Sequence, residues 1–330
     1  MALEGEFDMI ARIFAPLAKD SGALELKDDA AILTVTDDHQ LVVTCDTLVQ
    51  DIHFLKDDPP RTIGHKALAV NLSDLTAKGA RGSVYTLSLA LPKETDIDWL
   101  EAFAEGLGRV QDQTGISLIG GDTTATSGPP TITVTAIGLV QHENAVTRLG
   151  AKPGDRLYVS GTIGDAYLGL RLLQDPALGQ AWGLTQDDID VLIDCYRCPR
   201  IDAAAALLVR NFAKAAIDIS DGLVADIDKL CHVSHVGAEI ETARVPFSSA
   251  AKKVLKHSPS HLLDLIAAGD DYVVAMAVSP QSADQFESEA KAHETCFVAI
   301  GTVAVAASDV KVLDESGSAI SLKHKGFSHF

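Results

Sequence analysis

The stretch Lys66-Ala-Leu-Ala-Val-Asn-Leu-Ser-Asp-Leu75 lies inside a helical pattern that runs from about Pro60 to Lys78 and stops at Gly79. Asn71 and Asp74 share one helix face, and Leu68, Val70, Leu72 and Leu75 leave almost no polar side to the helix. An acid on a solvent-facing helix has charged company, and this one has none. The helix therefore reads as buried, with a carboxylate that needs a partner or a cation.

Strand patterns flank this helix. Short strands are expected at Ala30–Val35 and Gln40–Thr44 before it, and at Ser83–Leu91, Ser117–Ile119 and Thr131–Val140 after it, with a second helix near Asp96–Gln113. Phe7, Ile10, Ile13, Phe14 and Leu17 add helical spacing close to the start. Adjacent strand pairs without strict strand–helix alternation indicate an α+β fold, not a doubly wound parallel sheet. The turn-rich Gly150-Ala-Lys-Pro-Gly-Asp155 marks a boundary, giving domains 1–149 and 150–330. The second half restarts with a strand at Arg156–Ser160, a glycine turn through Gly161 and Gly164, and a helix. A helix near Ile201–Ala213, a strand at Ala215–Ile219 and a helix over Ser220–Val233 follow. The tail carries strands at Asp271–Val278 and Phe297–Ala304 around one more helix.

The 330 residues suit two domains, and 47% apolar with 22% charged residues exclude disordered and low-complexity classes. A net charge of −19 repels phosphate backbones, so nucleic acid and anionic membrane surfaces are not expected partners. No apolar run approaches the ~18 residues of a membrane span, and the first residues are acidic where a targeting signal is basic. Five cysteines, odd in number and sparse, fit free thiols in a reducing cytoplasm. Cys195 and Cys198 form a C-x-x-C without a second ligand pair and read as helix-face cysteines.

Most of the 46 acids are surface residues, but several sit in apolar surroundings. Asp28 and Asp29 run into Ala30-Ala-Ile-Leu33. Asp46 lies within Leu41-Val-Val-Thr-Cys-Asp-Thr-Leu-Val49, and Asp122 follows Ser117-Leu-Ile-Gly-Gly121. Asp218 and Asp221 occupy Ala215-Ala-Ile-Asp-Ile-Ser-Asp-Gly-Leu-Val224. Apart from Asp74, each falls at an expected strand end, where sheet proteins assemble sites. Gathered carboxylates repel unless positive charge compensates, and these motifs hold little Lys or Arg. Hard divalent cations, Mg²⁺ above all, supply that charge and keep positions open for phosphate oxygens. The phosphate-cradling G-x-x-x-x-G-K-[ST] loop and the protein-kinase motifs are absent, as are G-x-S-x-G and H-E-x-x-H. Asp226 and Asp228 read as solvated helix positions, and His53 alone reads as a core histidine.

These segments, with Gly5-Glu-Phe7, His53-Phe54, Thr147-Arg148, Gly269-Asp-Asp-Tyr272 and Lys325-Gly-Phe-Ser-His-Phe330, resemble the thiamine-monophosphate kinase family almost from end to end. That family belongs to the superfamily of aminoimidazole ribonucleotide synthetase and selenophosphate synthetase. The resemblance implies a two-domain α+β fold whose N-terminal domain binds metal and ATP and pairs through its strands in a homodimer. It implies Mg²⁺-dependent transfer of the γ-phosphoryl group of ATP to thiamine monophosphate. The metal ligands it implies are Asp29, Thr44, Cys45 through its backbone, Asp46, Asp74, Asp122, Asp218 and Asp221, with Asp28 adjacent. ATP contacts fall on Gly121, Asp122, Arg148 and Ser220, and substrate contacts on His53, Asp270 and Phe327. Asp46, Asp74, Asp122, Asp218 and Arg148 then carry catalysis. Lys27, Cys45 and Asp270 depart from the Gly, Thr and Glu common in the family. The nucleophile of such a reaction is an already ionised phosphate oxygen, so no general base is required and catalysis is positioning and charge neutralisation.

Overall fold

A computed structural model of the chain describes residues 9–27, 30–305, 309–322 and 324–327. Contacts divide the chain into two compact units. The first holds residues up to Leu75 and Ala80–Ala145. The second holds Thr76–Gly79 and the chain from Val146 onward.

The first unit contains β1 (His39–Val49), all but the last two residues of α1 (Pro60–Ala77), β2 (Arg81–Pro92), α2 (Ile97–Thr114), β3 (Ser117–Thr126) and β4 (Thr131–Gln141). Its sheet has the order β1-β4-β2-β3. β4 runs antiparallel to both β1 and β2, and β3 is parallel to β2. Strand alternation in β1 turns Val42, Thr44, Asp46 and Leu48 to one face and leaves Leu41, Val43, Cys45 and Thr47 exposed on the other. α1 is buried on almost every side, as its sequence requires. Two glycines let it lie against α2. A Cβ at Gly64 would stand 2.1 Å from the Phe103 carbonyl oxygen, and one at Gly106 would stand 2.0 Å from that of Arg61. Asp96 caps α2 by accepting the Trp99 amide hydrogen, and Gly115 ends it with φ 77°.

The second unit is built on a seven-stranded, largely antiparallel sheet. Its strands are β5 (Arg156–Ser160), β6 (Ala213–Ile219), β7 (Gly237–Glu241), β8 (Val273–Val278), β9 (Phe297–Ala304), β10 (Lys311–Leu313) and β11 (Ala319–Ile320). They are ordered β11-β10-β7-β9-β5-β8-β6. Helices α3 (Asp165–Gln174), α4 (Ala177–Ala181), α5 (Gln186–Arg197), α6 (Ala203–Phe212), α7 (Leu223–Ser234), α8 (Ser249–His257), α9 (His261–Ala267) and α10 (Pro280–Ala292) connect and cover them. One core joins Leu157, Ile217, Leu223, Ile227, Leu265 and Ile300, and another packs Tyr158 and Phe212 edge-on and tilted against Phe286. The α+β reading holds.

The expected strand at Ala30–Val35 does not form; this stretch is irregular. Ile32 is 65% exposed, and its amide hydrogen goes to the Gly22 carbonyl, not to a neighbouring strand. Apolar residue types alone cannot make a strand without an edge to pair with. The expected N-terminal helix appears among the described residues as a π-turn over Ile10–Phe14 and a 3-10 turn over Ala15–Leu17. Asp28, Asp29 and the first helical position, Phe7, lie outside the described residues.

Gly64→Ala should lower unfolding free energy by about 2–3 kcal/mol, because backbone cannot yield as a side chain does. Chemical denaturation would show it as a lower midpoint at an unchanged slope, whereas an effect under ~0.5 kcal/mol would mean that the helices separate freely.

Candidate active site

In the first unit, three of the expected residues meet. Thr44 Oγ1 hydrogen-bonds Asp74 Oδ2, so the inward row of β1 touches the buried face of α1. Asp46, two residues along the same row, is close enough to Asp74 for the two charges to act on each other. Burial, and then the Asp74 carboxylate, push the Asp46 carboxyl up from 3.8 to about 6. Asp46 Oδ2 is buried and accepts no hydrogen bond. A buried, partnerless carboxylate oxygen beside a second carboxylate fits a divalent cation with oxygen ligands. Among the described residues, no three His, Cys, Asp or Glu side chains form a metal-holding group.

Cys45 faces outward, where its Sγ accepts the Thr135 hydroxyl, so only its backbone is turned with its neighbours' ladder. Asp122 is exposed on the edge strand β3. Its register partner is Ser88, which pairs with Thr133 and through it with Thr47. Thr47 and Thr133 hydroxyls bond at 2.8 Å on that outward face. The row of Asp122 is therefore the one next to the row of Asp46, and alternation turns it to the opposite face. Gly121 is in the Asp46 row, opposite Leu87, with no room for a side chain: a Cβ there would stand 1.9 Å from the Leu87 carbonyl oxygen. Gly120, Gly121 and Asp122 border a cavity of about 280 Å³ otherwise lined by apolar residues such as Phe14, Leu26, Leu89 and Leu118.

His53 follows β1. Its Nδ1 accepts the Val49 amide hydrogen at 3.0 Å, which places the ring proton on Nε2. The buried Lys66 holds the same residue by donating to the His53 carbonyl at 2.9 Å.

In the second unit, residues far apart in sequence converge on the turn that follows β6. Asp218 is buried at the end of that strand. The Asp270 amide donates to the Ser220 carbonyl at 2.9 Å, the Tyr272 amide to the Ile219 carbonyl at 2.8 Å, and the Phe327 amide to the Asp221 carbonyl at 2.9 Å. Asp270 takes φ 74° to do so, and a Cβ on Gly269 would meet the Ser220 oxygen at 2.2 Å. Asp218, Ser220, Asp221, Asp270 and Phe327 are thus gathered. Phe327 is 53% exposed.

Arg148 lies ahead of β5 in the second unit. It is exposed, its carbonyl accepts the Ser234 hydroxyl at the far end of α7, and it lines a cavity of about 660 Å³ with Lys229, His232, His235 and Lys325. Two acids missed by residue type are buried here. Asp226 is 1% exposed, where its position on α7 reads as solvated; its carboxylate accepts backbone amides and pairs with Lys229. Asp228 behaves as read, pairing with Lys325 while partly exposed. Asp271 accepts the Gly164 amide through both oxygens, and burial pushes its carboxyl well up. For Asp271 the signal was its place beside Asp270 and ahead of Val273 and Val274; Asp226, followed by Ile227, Asp228 and Lys229, gave none.

Family comparisons bear on this geometry. The family of AIR synthase related proteins matches through its N-terminal domain over residues 27–140 and through its C-terminal domain over residues 152–313. A thiamine-monophosphate kinase of Caulobacter vibrioides is 38% identical, covering 97% of this chain and 87% of its own. The chain belongs to the thiamine-monophosphate kinase family. A solved thiamine-monophosphate kinase from Stenotrophomonas maltophilia K279a superposes with a TM-score of 0.84 at 38% identity, over 96% of this chain and 98% of that one. A solved chain described as AaThiL complexed with AMPPCP and TMP superposes with a TM-score of 0.77 at 26% identity, over 100% of this chain and 99% of that one. The resemblance of this sequence to the thiamine-monophosphate kinase family is borne out.

The raised Asp46 carboxyl has a measurable cost. Without divalent cations it destabilises the fold as pH rises from about 4 through about 6, and the cost is constant above that. Asp46→Asn should therefore be more stable than the parent at pH 7.5 in chelator, by about 1–3 kcal/mol. The difference should shrink toward pH 4.5, while turnover is lost. Equal melting temperatures at both pH values would show that Asp46 is not strained.

Proposed function

We propose that this chain transfers the γ-phosphoryl group of ATP to thiamine monophosphate, giving thiamine diphosphate and ADP. The observation that carries it is the end-to-end likeness to thiamine-monophosphate kinases, one of them solved with AMPPCP and TMP.

The chain's own groups suit a reaction between two anions. In the first unit Thr44, Asp46 and Asp74 would hold Mg²⁺, with Cys45 through its backbone and with Asp28 and Asp29, and Asp122 would do so on the opposite face of the sheet; in the second unit Asp218 and Asp221 would hold it. When bound, Mg²⁺ would supply positive charge to neutralise the phosphates. The attacking oxygen of thiamine monophosphate is ionised near neutral pH, since its second pKa is about 6. No residue has to remove a proton from it, and the aspartates serve as ligands and not as bases. Gly121, Asp122 and Ser220 would position the nucleotide, and the Arg148 guanidinium would pair with its phosphate oxygens. His53, with its proton on Nε2, offers a hydrogen-bond donor to the substrate. Asp270 and the exposed Phe327 ring supply a carboxylate and an aromatic face to a cationic heterocycle.

The working form is a homodimer joined through the outer face of the first sheet. Leu41 and Val43 project there, 45% and 59% exposed, on the edge strand β1. Free cysteines throughout the described residues suit a cytoplasmic protein. Among the described residues, no helix is long and apolar enough to cross a membrane.

Incubated with ATP and Mg²⁺, the protein should make thiamine diphosphate from thiamine monophosphate and leave free thiamine untouched, as read by chromatography. Phosphorylation of thiamine itself would overturn the assignment. Asp74→Asn should lower kcat by about a hundredfold or more in folded protein. Leu41→Glu combined with Val43→Glu should sediment as a monomer.

A further inference from the structure

We propose that Asp226 is a positioning residue: its carboxylate sets the backbone of the Ser220-Asp221-Gly222 turn, and through Lys229 it sets the direction of the Asp221 side chain.

The geometry is specific. Asp226 Oδ2 accepts the amide hydrogens of Ser220 at 3.0 Å, Asp221 at 2.9 Å and Gly222 at 3.1 Å. Asp226 Oδ1 accepts from Lys229 Nζ at 2.7 Å, and the same ammonium group bonds Asp221 Oδ2. The Asp226 side chain is 1% exposed, while those of Asp221 and Lys229 are 33% and 41% exposed. A buried carboxylate therefore anchors a chain of contacts that ends at a more open one.

This is not ordinary helix capping. A cap accepts from amides of the first helical turn, whereas α7 begins at Leu223 and the three bonded amides all precede it. Asp226 reaches back past the helix start and fixes the turn before it. That turn has little freedom of its own. Gly222 takes φ 127°, and a Cβ on it would stand 2.5 Å from the Ala267 carbonyl oxygen.

A second consequence concerns what the turn can bind. Successive amides facing one point form a nest that ordinarily receives an anion such as phosphate. Here the fold has filled that nest with its own carboxylate. The turn has no amides left to offer a phosphate. It presents the Ser220 hydroxyl and the Asp221 carboxylate, groups that face a cation or a donor. Asp226 thus makes a turn with the shape of a phosphate site into one that favours positive charge. Lys229 holds the Asp221 carboxylate in one direction in the meantime.

The inference rests on the reading of Ser220 and Asp221 as site residues, and Asp221→Asn separates the two. If Asp221→Asn turns over at the parent rate, that reading fails; if it is inactive, Asp226 can be judged on its own variants. Asp226→Asn keeps an oxygen for the amides and loses the charge that holds Lys229, and Asp226→Ala loses both. We expect kcat to fall about tenfold in Asp226→Asn and about a hundredfold in Asp226→Ala. KM for thiamine monophosphate should stay within about threefold of the parent in Asp226→Asn and rise in Asp226→Ala, since Asp270 and Phe327 are bonded to the turn that Asp226 holds. In hydrogen exchange, peptides covering residues 217–224 should lose protection in Asp226→Ala and keep most of it in Asp226→Asn. Folded Asp226→Ala with kcat within about threefold of the parent would overturn the proposal. So would an Asp226→Asn enzyme as impaired as Asp226→Ala. If Asp226→Ala does not fold, Asp226→Asn decides: a kcat loss that merely matches a loss of folded protein overturns the proposal, and a kcat loss in fully folded protein supports it.

Discussion

Asp46 and Asp74 repel each other across the space between an inward strand row and a buried helix face. An ordinary fold would remove such a pair or neutralise it with lysine. This one keeps Thr44 on Asp74 and leaves Asp46 Oδ2 with no donor. The arrangement is unfavourable for the empty protein and favourable once positive charge arrives, which is how a site gains affinity for a cation at the expense of stability. The rest of the first unit serves this contact. The close α1–α2 approach through Gly64 and Gly106 fixes the helix, and β1–β4 register fixes the row.

The second unit solves a different problem. It brings carbonyls of one turn, Ile219 to Asp221, into contact with chain segments near residues 270 and 327. The converging groups are held by backbone hydrogen bonds, so their positions depend little on side-chain identity. The Asp270 bond to the turn, for example, is made by its backbone and not by its carboxylate. Acids in this unit are used in two ways: Asp226 and Asp271 are spent on amides, while Asp221 keeps its carboxylate at the surface of the site.

Much of this was legible in residue order. The all-apolar surroundings of Asp74 located α1, and Gly79 marked its end because φ 67° there suits glycine. The strand at Phe297–Ala304 matched its expected bounds. Pairing was not legible. Ala30–Val35 has strand composition but no neighbour, and the longer extents of β1 and β3 depend on partners contributed by β4 and β2. Nor was side-chain direction. The Gly121–Asp122 pair looks like one motif, yet alternation sends its two residues to opposite faces of the sheet. Asp226 was misread because helical position predicts exposure only when nothing precedes the helix to be held. Arg148 was singled out by its motif, and the order of residues did not show that its carbonyl would accept the Ser234 hydroxyl at the end of α7.

We propose that the fold holds Asp46 beside Asp74 so that one divalent cation can bind both. Crystals grown with Mn²⁺ and a non-hydrolysable ATP analogue, measured at the manganese absorption edge, test it directly. An anomalous peak about 2.0–2.4 Å from carboxylate oxygens of both Asp46 and Asp74 is the predicted result. Density showing Asp46 hydrogen-bonded to protein or water, with manganese bound only to nucleotide phosphates, would contradict it.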